Sequence, residues 1–195
     1  MITFISSNYG KYISVKNKFQ KEKIKLNYYK CDLFEPIIND IEFISKTKAY
    51  EAYQIIKSPC FVIDSGFYIT DYPNKKDYPG ALVKRSRVSS DIDNLLITLK
   101  DVKNRHAYFL DCLTFYDGEK FYTFYGRSEG FIAKKKRGKL KKEAKSNLWL
   151  VFIPLNHKHT LAEMSEFEFN NRQDNHTSAT TEFLNWYKQE YQKNK

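Results

Sequence analysis

The sequence is poor in the features that mark secreted, zinc-binding or disulfide-rich chains. Its only cysteines are Cys31, Cys60 and Cys112, an odd number without any Cys-x-x-Cys spacing. This argues against both a disulfide framework and a thiolate zinc site, and it favours a reducing cytoplasm. Cys60 and Cys112 lie within apolar runs, which predicts buried thiols rather than reactive ones.

Long apolar segments are also missing. No stretch approaches the roughly twenty apolar residues that cross a bilayer, and the chain enters a strand pattern at Ile2 without an apolar signal core. We therefore expect a cytoplasmic protein without a membrane partner. The 195 residues contain no internal repeat, and they predict a single domain over residues 1–195.

Basic residues are in excess, with 33 Lys plus Arg against 23 Asp plus Glu and a net charge of +10, which favours anionic partners. Much of the excess lies in the run Lys134–Lys145, whose only acid is Glu143. The simplest interpretation is a solvated hairpin tip. Alternatives are an acidic protein partner, or nucleic acid, with Tyr122, Phe124 and Tyr125 nearby for stacking.

Apolar residues recur at helical spacing in several segments, and continuous or alternating apolar runs between them predict strands. The predicted helices contain Tyr12, Val15 and Phe19; Ile41–Ile56; Ile92–Leu99, capped by Ser90; and Phe183, Trp186 and Tyr187. The predicted strands are Ile2–Ile5, Ile24–Tyr29, Cys60–Ile63, Phe67–Ile69, Ala107–Tyr116, Phe121–Tyr125, one through Phe131, and Leu148–Ile153. This order indicates an α/β fold with a mixed sheet.

Turn residues separate these elements. Asp117-Gly118 predicts a hairpin between two of the strands, because this pair accepts the positive torsions of a tight turn. Asp64-Ser65-Gly66 predicts a turn after a strand, and residues 70–80 are predicted to form a loop.

Polar side chains follow several strand ends, where ligand groups often lie in α/β sheets. The main ones are Asn8, Lys11, Asp64 and Lys84. Cations can hold phosphate oxygens, and carboxylates can bind magnesium and activate water. The residues alone leave open a simpler interpretation, in which the acid belongs to an ordinary turn and the lysines are solvated.

Short segments in a distinctive order extend over nearly the whole chain. They are Ser6-Ser7-Asn8-Tyr9-Gly10-Lys11; Asp32-Leu33-Phe34-Glu35; Lys48, sixteen residues before Asp64-Ser65-Gly66; Pro79-Gly80 followed by Lys84; Gly126-Arg127-Ser128-Glu129-Gly130; Arg137-Gly138; and Thr160-Leu161-Ala162-Glu163-Met164-Ser165. This series resembles the inosine triphosphate pyrophosphatase family. The last segment is the most specific, being close to that family's T-x-A-E-M-S.

The resemblance implies an elongated α/β fold with a mixed β-sheet and flanking helices, whose two lobes frame a central cleft, usually in a homodimer. It also implies an enzyme that cleaves noncanonical purine triphosphates such as ITP, dITP and XTP to the monophosphate and pyrophosphate. Carried over to this sequence, the family's catalytic residues are Asp64 and Lys48; its phosphate-binding residues are Asn8, Lys11, Ser65, Gly66 and Lys84; and its Mg²⁺ ligands are Glu35 and Asp64.

Three departures from the family pattern affect this prediction. Ile63 replaces an acid that normally precedes the aspartate, which predicts weaker metal binding. Ser146-Asn147-Leu148-Trp149-Leu150 replaces a base-reading segment, and its Trp149 is either a stacking surface or a core residue. After Met164 the family has a lysine followed by S-H-R, which this chain does not keep, and the remaining candidates for the base region are Arg172 and His176.

These departures keep two alternative hypotheses open. The chain could be a nucleotide-binding sensor subunit of a larger complex, with impaired catalysis and a protein partner. It could also be a basic nucleic-acid-binding protein on the same fold.

Overall fold

The computed structural model describes residues 2–142, 144–172 and 177–191. Its strands are β1 (Ile2–Ile5), β2 (Leu26–Tyr29), β3 (Cys60–Tyr72), β4 (Lys75–Gly80), β5 (His106–Tyr116), β6 (Phe121–Ile132) and β7 (Phe152–Pro154). Its α-helices are α1 (Tyr9–Lys21), α2 (Ile41–Ile56), α3 (Ile92–Thr98), α4 (Glu166–Asn170) and α5 (Ala179–Trp186), with a 3-10 helix at Asn147–Leu150 and a π-helical turn at Tyr187–Tyr191.

The seven strands form one mixed sheet, as the sequence predicts. The strand order is β2-β1-β3-β5-β6-β7, and β4 pairs with β3. β1 is parallel to both β2 and β3, whereas β4 is antiparallel to β3 and β7 is antiparallel to β6. The sheet and its helices confirm the α/β class.

The chain divides into two compact units. Unit 1 contains the described residues of Met1–Ser65, Asp111–Gly126 and Thr177–Lys195, and unit 2 contains those of Gly66–Leu110 and Arg127–His176. The long strands β3, β5 and β6 contribute residues to both units. That the two units are lobes of one domain framing a cleft stays a prediction.

Unit 1 packs two apolar clusters. In the larger one, Phe19 of α1 stacks on Phe61 of β3 with ring centroids 5.6 Å apart, and Phe183 of α5 lies 5.1 Å from the same ring. The smaller cluster packs Ala49 and Ala52 of α2 against β3. This burial explains the helical apolar spacing of α1, α2 and α5.

Unit 2 has its own core, in which α3, the 3-10 helix and the segment that ends at Met164 pack against β3 and β5. The prediction of a strand over residues 148–153 is only partly right, because residues 147–150 are helical and β7 begins at Phe152. Leu148 and Trp149 are both buried, at 1% and 5% exposure. A helical turn can bury two consecutive side chains on one side, whereas a strand directs them to opposite faces.

Two loop predictions on β3 are wrong. The segment Asp64-Ser65-Gly66 lies inside the strand, and the predicted loop at residues 70–80 contains the end of β3 and all of β4. Gly66 is required by close packing instead of a turn, since a Cβ there would lie 2.7 Å from the ring of Tyr68 and 3.1 Å from the carbonyl oxygen of Gly80. The Tyr72 and Tyr78 rings, 4.5 Å apart, stabilise the β3–β4 pair.

The basic run after β6 is mostly solvated, as the simplest interpretation of the sequence expects, but it is also anchored at two points. The exposed residues are Lys134, Lys135, Lys136, Lys139, Lys142 and Lys145. Arg137 forms an ion pair of 3.0 Å with Glu163, and Lys136 forms one of 2.8 Å with Asp93. A Cβ on Gly138 would lie 2.7 Å from the main chain of Ala162, so the loop packs closely against the segment before Met164. Two of the family-like segments, Arg137-Gly138 and residues 160–165, therefore contact each other.

The structure also tests the predictions for the N-cap of α3, the cysteines and membrane-spanning helices. The N-cap of α3 is Asp91 rather than Ser90, because the Asp91 carboxylate accepts the Asn94 N–H at 3.0 Å. Cys60 and Cys112 are fully buried, and burial raises the pKa of each thiol to about 12, as expected for unreactive cysteines. None of the helices in the described part of the chain is long and apolar enough to cross a membrane.

Candidate active site

The polar turn after β1 forms the N-terminus of α1. The Asn8 side-chain oxygen accepts the Lys11 backbone N–H at 3.0 Å and caps the helix, while the Asn8 N–H donates to Ser6 Oγ at 3.1 Å. Asparagine is favoured at this position because its short side chain reaches the unpaired amides of the first turn. The cap orients the first turn of α1, which carries Lys11.

Lys11 connects this turn to β3. Its Nζ donates a hydrogen bond of 2.8 Å to the carbonyl oxygen of Ile63, the residue before Asp64. The β1–β3 pairing covers only Thr3 with Cys60 and Phe4 with Phe61, upstream of this carbonyl. The Lys11 ammonium group is therefore held against β3, beyond the last residue of β3 that pairs with β1.

Three charged side chains of unit 1 form the centre of the site. Lys48 Nζ lies 2.7 Å from Glu35 Oε2 and 2.5 Å from Asp64 Oδ1. Lys48 and Asp64 are 9% and 8% exposed, so both charges are largely shielded from water. The structure thus brings together Glu35, Lys48 and Asp64, which are separated by up to 29 positions in the chain.

Local structure fixes each member of this cluster. Lys48 lies on the inward face of α2 together with Ser45 and Ala49, so its ammonium group points into the unit. Glu35 belongs to the segment between β2 and α2, which is tied to α2 by a 2.7 Å hydrogen bond from the Phe34 N–H to Glu51 Oε2. Asp64 is held by its place within β3.

The electrostatics of the cluster keep Lys48 protonated. Burial by itself lowers the pKa of this lysine, but the nearby Asp64 and Glu35 carboxylates outweigh burial and raise it above its ordinary value. A lysine with a raised pKa is a poor general base near neutral pH. Lys48 therefore carries a fixed positive charge near neutral pH.

Asp64 has one oxygen available for chemistry. Oδ1 accepts from Lys48, whereas Oδ2 is buried and has no hydrogen-bond partner among the described residues. Buried carboxylate oxygens without partners are rare because desolvation is costly. This oxygen is the strongest structural indication that the cluster binds something.

Asp111 was missed by reasoning from the sequence. It lies on β5, where its Oδ1 accepts a 2.6 Å hydrogen bond from Ser65 Oγ, the hydroxyl next to Asp64. An acid within an apolar strand pattern is the only signal in the sequence that could have identified it. In this structure the Ser65 hydroxyl therefore donates to a carboxylate, and it would have to leave Asp111 to donate to a ligand.

The remaining predicted residues belong to unit 2. Gly66 follows Ser65 on β3, and Lys84 is exposed in the turn after β4. Trp149 is a core residue that stacks on Phe169 with centroids 5.0 Å apart, and the Arg172 guanidinium lies 4.4 Å from the Phe169 ring centre. His176 lies outside the described residues, and the assignment of Trp149, Arg172 and His176 to base binding stays a prediction.

The site contains some groups that suit a divalent cation. The described residues include no cluster of three or more His, Cys, Asp or Glu side chains that could hold a metal ion. Glu35 and Asp64 supply two carboxylates, and Mg²⁺ is commonly bound by one or two carboxylates together with substrate phosphates and water. The donor set therefore fits a metal that arrives with a phosphorylated ligand.

The fold and this cluster define an α/β protein with a charged, largely buried candidate site, and comparison with known proteins identifies its family. The model of the Ham1 family matches residues 2–186, so the chain belongs to the Ham1 family.

Relatives and solved structures agree with this assignment. The chain is 32% identical over 182 residues to a dITP/XTP pyrophosphatase of Saccharolobus solfataricus, covering 93% of this chain and 91% of the relative. It is 28% identical to a Thermococcus kodakarensis protein of the same name over 96% of this chain and 97% of the relative. The Ham1 protein of Staphylococcus aureus shares the fold, with a TM-score of 0.73 at 18% identity, covering 99% of this chain and 100% of that chain.

Proposed function

We propose that this chain hydrolyses noncanonical purine nucleoside triphosphates of the dITP, ITP and XTP type to the monophosphate and pyrophosphate. The observation that carries the proposal is the Glu35–Lys48–Asp64 cluster, in which Lys48 and Asp64 are buried and one Asp64 oxygen is unpaired among the described residues. Membership of the Ham1 family and the similarity to dITP/XTP pyrophosphatases support the choice of substrate.

The chemistry follows from the charges in the cluster. Asp64 Oδ2 accepts a proton from a water molecule as the water oxygen bonds to the α-phosphorus, and the bond from that phosphorus to the bridging oxygen of pyrophosphate breaks. Lys48 holds Asp64 Oδ1, which orients the other oxygen, and its charge stabilises the negative charge that develops on the phosphates. Lys11, Asn8 and Ser65 are proposed to hold phosphate oxygens at the start of α1 and on β3.

A divalent metal is implied by the family resemblance, and we take it to be Mg²⁺. Glu35 and Asp64 would hold it, and a bound metal would neutralise charge on the phosphates. Ile63 supplies no ligand, so we expect weaker metal binding than a third carboxylate would give.

The direct test is a substrate panel. Purified protein with Mg²⁺ is incubated with ITP, dITP, XTP, ATP and GTP, and pyrophosphate release is measured beside equilibrium binding of each nucleotide. Release from dITP, ITP or XTP at least tenfold faster than from ATP and GTP supports the proposal. Equal release from all five would contradict the noncanonical substrate class, and no release at all would contradict the enzyme.

One observation favours a second candidate, a sensor that binds nucleotide without hydrolysing it. Ile63 removes a potential metal ligand while Lys11, Lys48 and Asp64 are kept. In the same panel, tight binding of a nucleotide without pyrophosphate release would select this alternative.

A further inference from the structure

Unit 2 contains a hollow whose lining residues are distant in the sequence from Glu35, Lys48 and Asp64. The proposed reaction does not use these lining residues. The volume of the hollow is about 520 Å³. It is lined by Lys103, Asn104, Arg105, Phe131, Ile132, Ala133, Lys134, Lys135, Arg137 and Ile153. Five of these ten residues are cationic, and one of the five, Arg105, is buried. No carboxylate of the described residues lines the hollow.

The cations around the hollow fall into two groups. Arg105 and Arg137 are occupied: the first donates to main-chain carbonyls, and the second pairs with Glu163. Lys103, Lys134 and Lys135 are exposed and make no hydrogen bond or ion pair with another described residue. Three lysines are therefore available to an anionic ligand.

An apolar surface accompanies these lysines. Phe131 of β6 and Ile153 of β7 are paired across the two strands, and the Phe131 side chain is 44% exposed. His106 packs edge-on against the Phe131 ring, with centroids 5.7 Å apart, which steadies the ring. An exposed aromatic face beside cations offers stacking and charge together.

From this arrangement we propose that the hollow binds single-stranded nucleic acid, with phosphates on Lys103, Lys134 and Lys135 and a base stacked on Phe131. The basic run continues past the hollow through exposed Lys139, Lys142 and Lys145, which suits a linear polyanion better than a single nucleotide. Three stacking residues are expected from the sequence. Tyr122 and Phe124 instead pack against Trp186 in unit 1, and the Tyr125 hydroxyl donates to Glu42.

The test uses the full chain and fluorescein-labelled single-stranded 12-mers of RNA and DNA, with anisotropy measured between 50 and 200 mM KCl. We expect saturable binding of at least one 12-mer that weakens with salt. The double variant Lys134→Ala, Lys135→Ala should weaken it at least tenfold and lower the slope of log affinity against log salt by roughly 1.4, since each phosphate contact contributes ~0.7 for single strands.

Two further variants make the result specific. Phe131→Ala should weaken binding about fivefold to hundredfold without changing the salt slope, because it removes stacking and no charge. The control Lys21→Ala, Lys25→Ala makes the same change in net charge on exposed residues of unit 1 and should leave binding within twofold. Pyrophosphate release should be unchanged in all of them.

Several outcomes would overturn the proposal. These are no binding at 50 mM KCl, an equal loss in the Lys21 and Lys25 control, no effect of Phe131→Ala, or equal affinity for a duplex of the same sequence. Thermal melting of each variant shows whether it is folded. Because the residues tested are outside the Glu35–Lys48–Asp64 cluster, failure here leaves the proposed hydrolysis standing.

Discussion

Each unit buries a cation, but the two units satisfy it in different ways. In unit 2 the Arg105 guanidinium donates to the carbonyls of Leu99, Ile132 and Ala133 at 2.6 to 2.9 Å. In unit 1 Lys48 lies between two carboxylates, and one oxygen of Asp64 stays unpaired among the described residues. A cation paired with the main chain stabilises the fold, whereas an incompletely satisfied charged cluster is typical of a site where a ligand completes the pairing.

The sharpest test of this contrast is to remove each cation. Lys48→Met should lower the rate of pyrophosphate release from dITP by about 10²-fold to 10³-fold, the usual loss when one preorganised electrostatic group is removed. Arg105→Met should leave the rate per folded molecule within twofold. It should instead lower the free energy of unfolding by about 2 to 4 kcal/mol, because buried carbonyls lose their donors.

Steady-state kinetics and urea unfolding of both variants measure these effects. The assignment of a functional role to Lys48 and a structural role to Arg105 would be contradicted if Arg105→Met lost activity while remaining folded, or if Lys48→Met kept full activity. Reduced stability of Lys48→Met would not by itself contradict this assignment, because the substitution leaves two carboxylates facing each other without their shared cation.

The second prediction concerns the missing carboxylate. Ile63→Asp adds an acid next to Asp64, and we expect the Mg²⁺ concentration for half-maximal activity to fall about tenfold, because a further anionic ligand strengthens the site. Isothermal titration with Mn²⁺ provides a readout that does not depend on turnover. Ile63→Asn is the matched control, and equal metal affinity in the Asp and Asn variants would contradict the account.

The smallest expected effect concerns Asp111. Asp111→Asn keeps an acceptor for Ser65 but removes a negative charge near the proposed phosphate-binding residues. We expect the KM for dITP to fall about twofold to fivefold with kcat unchanged, because less charge repels the triphosphate. A rise in KM would instead mean that the Asp111 charge is needed to position Ser65.

The sequence predicts the elements of unit 1 better than those of unit 2. The periodicity of α1, α2 and α5 reflects burial of one helix face, so a local pattern is enough to identify them. Around β4 and the 3-10 helix, the secondary structure depends on contacts between residues that are apart in the sequence, such as Tyr72 with Tyr78 and Trp149 with Phe169. Local propensity carries no information about such contacts.

The sequence also identifies only some of the residues of the candidate site. Glu35, Lys48 and Asp64 were identified by their resemblance to a family, and the structure brings them into contact. Asp111 has no counterpart among the motifs, and only the neighbouring strand reveals its hydrogen bond to Ser65. The turn predicted at Asp64 was wrong because a glycine needed for close packing at position 66 has the same signature as a glycine needed for a turn.

The most direct measurement compares Asp64→Asn with Asp71→Asn, which removes an exposed carboxylate on the same strand. Single-turnover pyrophosphate release from dITP and equilibrium dITP binding are measured for both variants. We predict that Asp64→Asn lowers the rate about 10²-fold to 10⁴-fold while still binding dITP, and that Asp71→Asn matches the unmodified protein. A rate for Asp64→Asn within tenfold of the unmodified protein would contradict the assignment of Asp64 as the base.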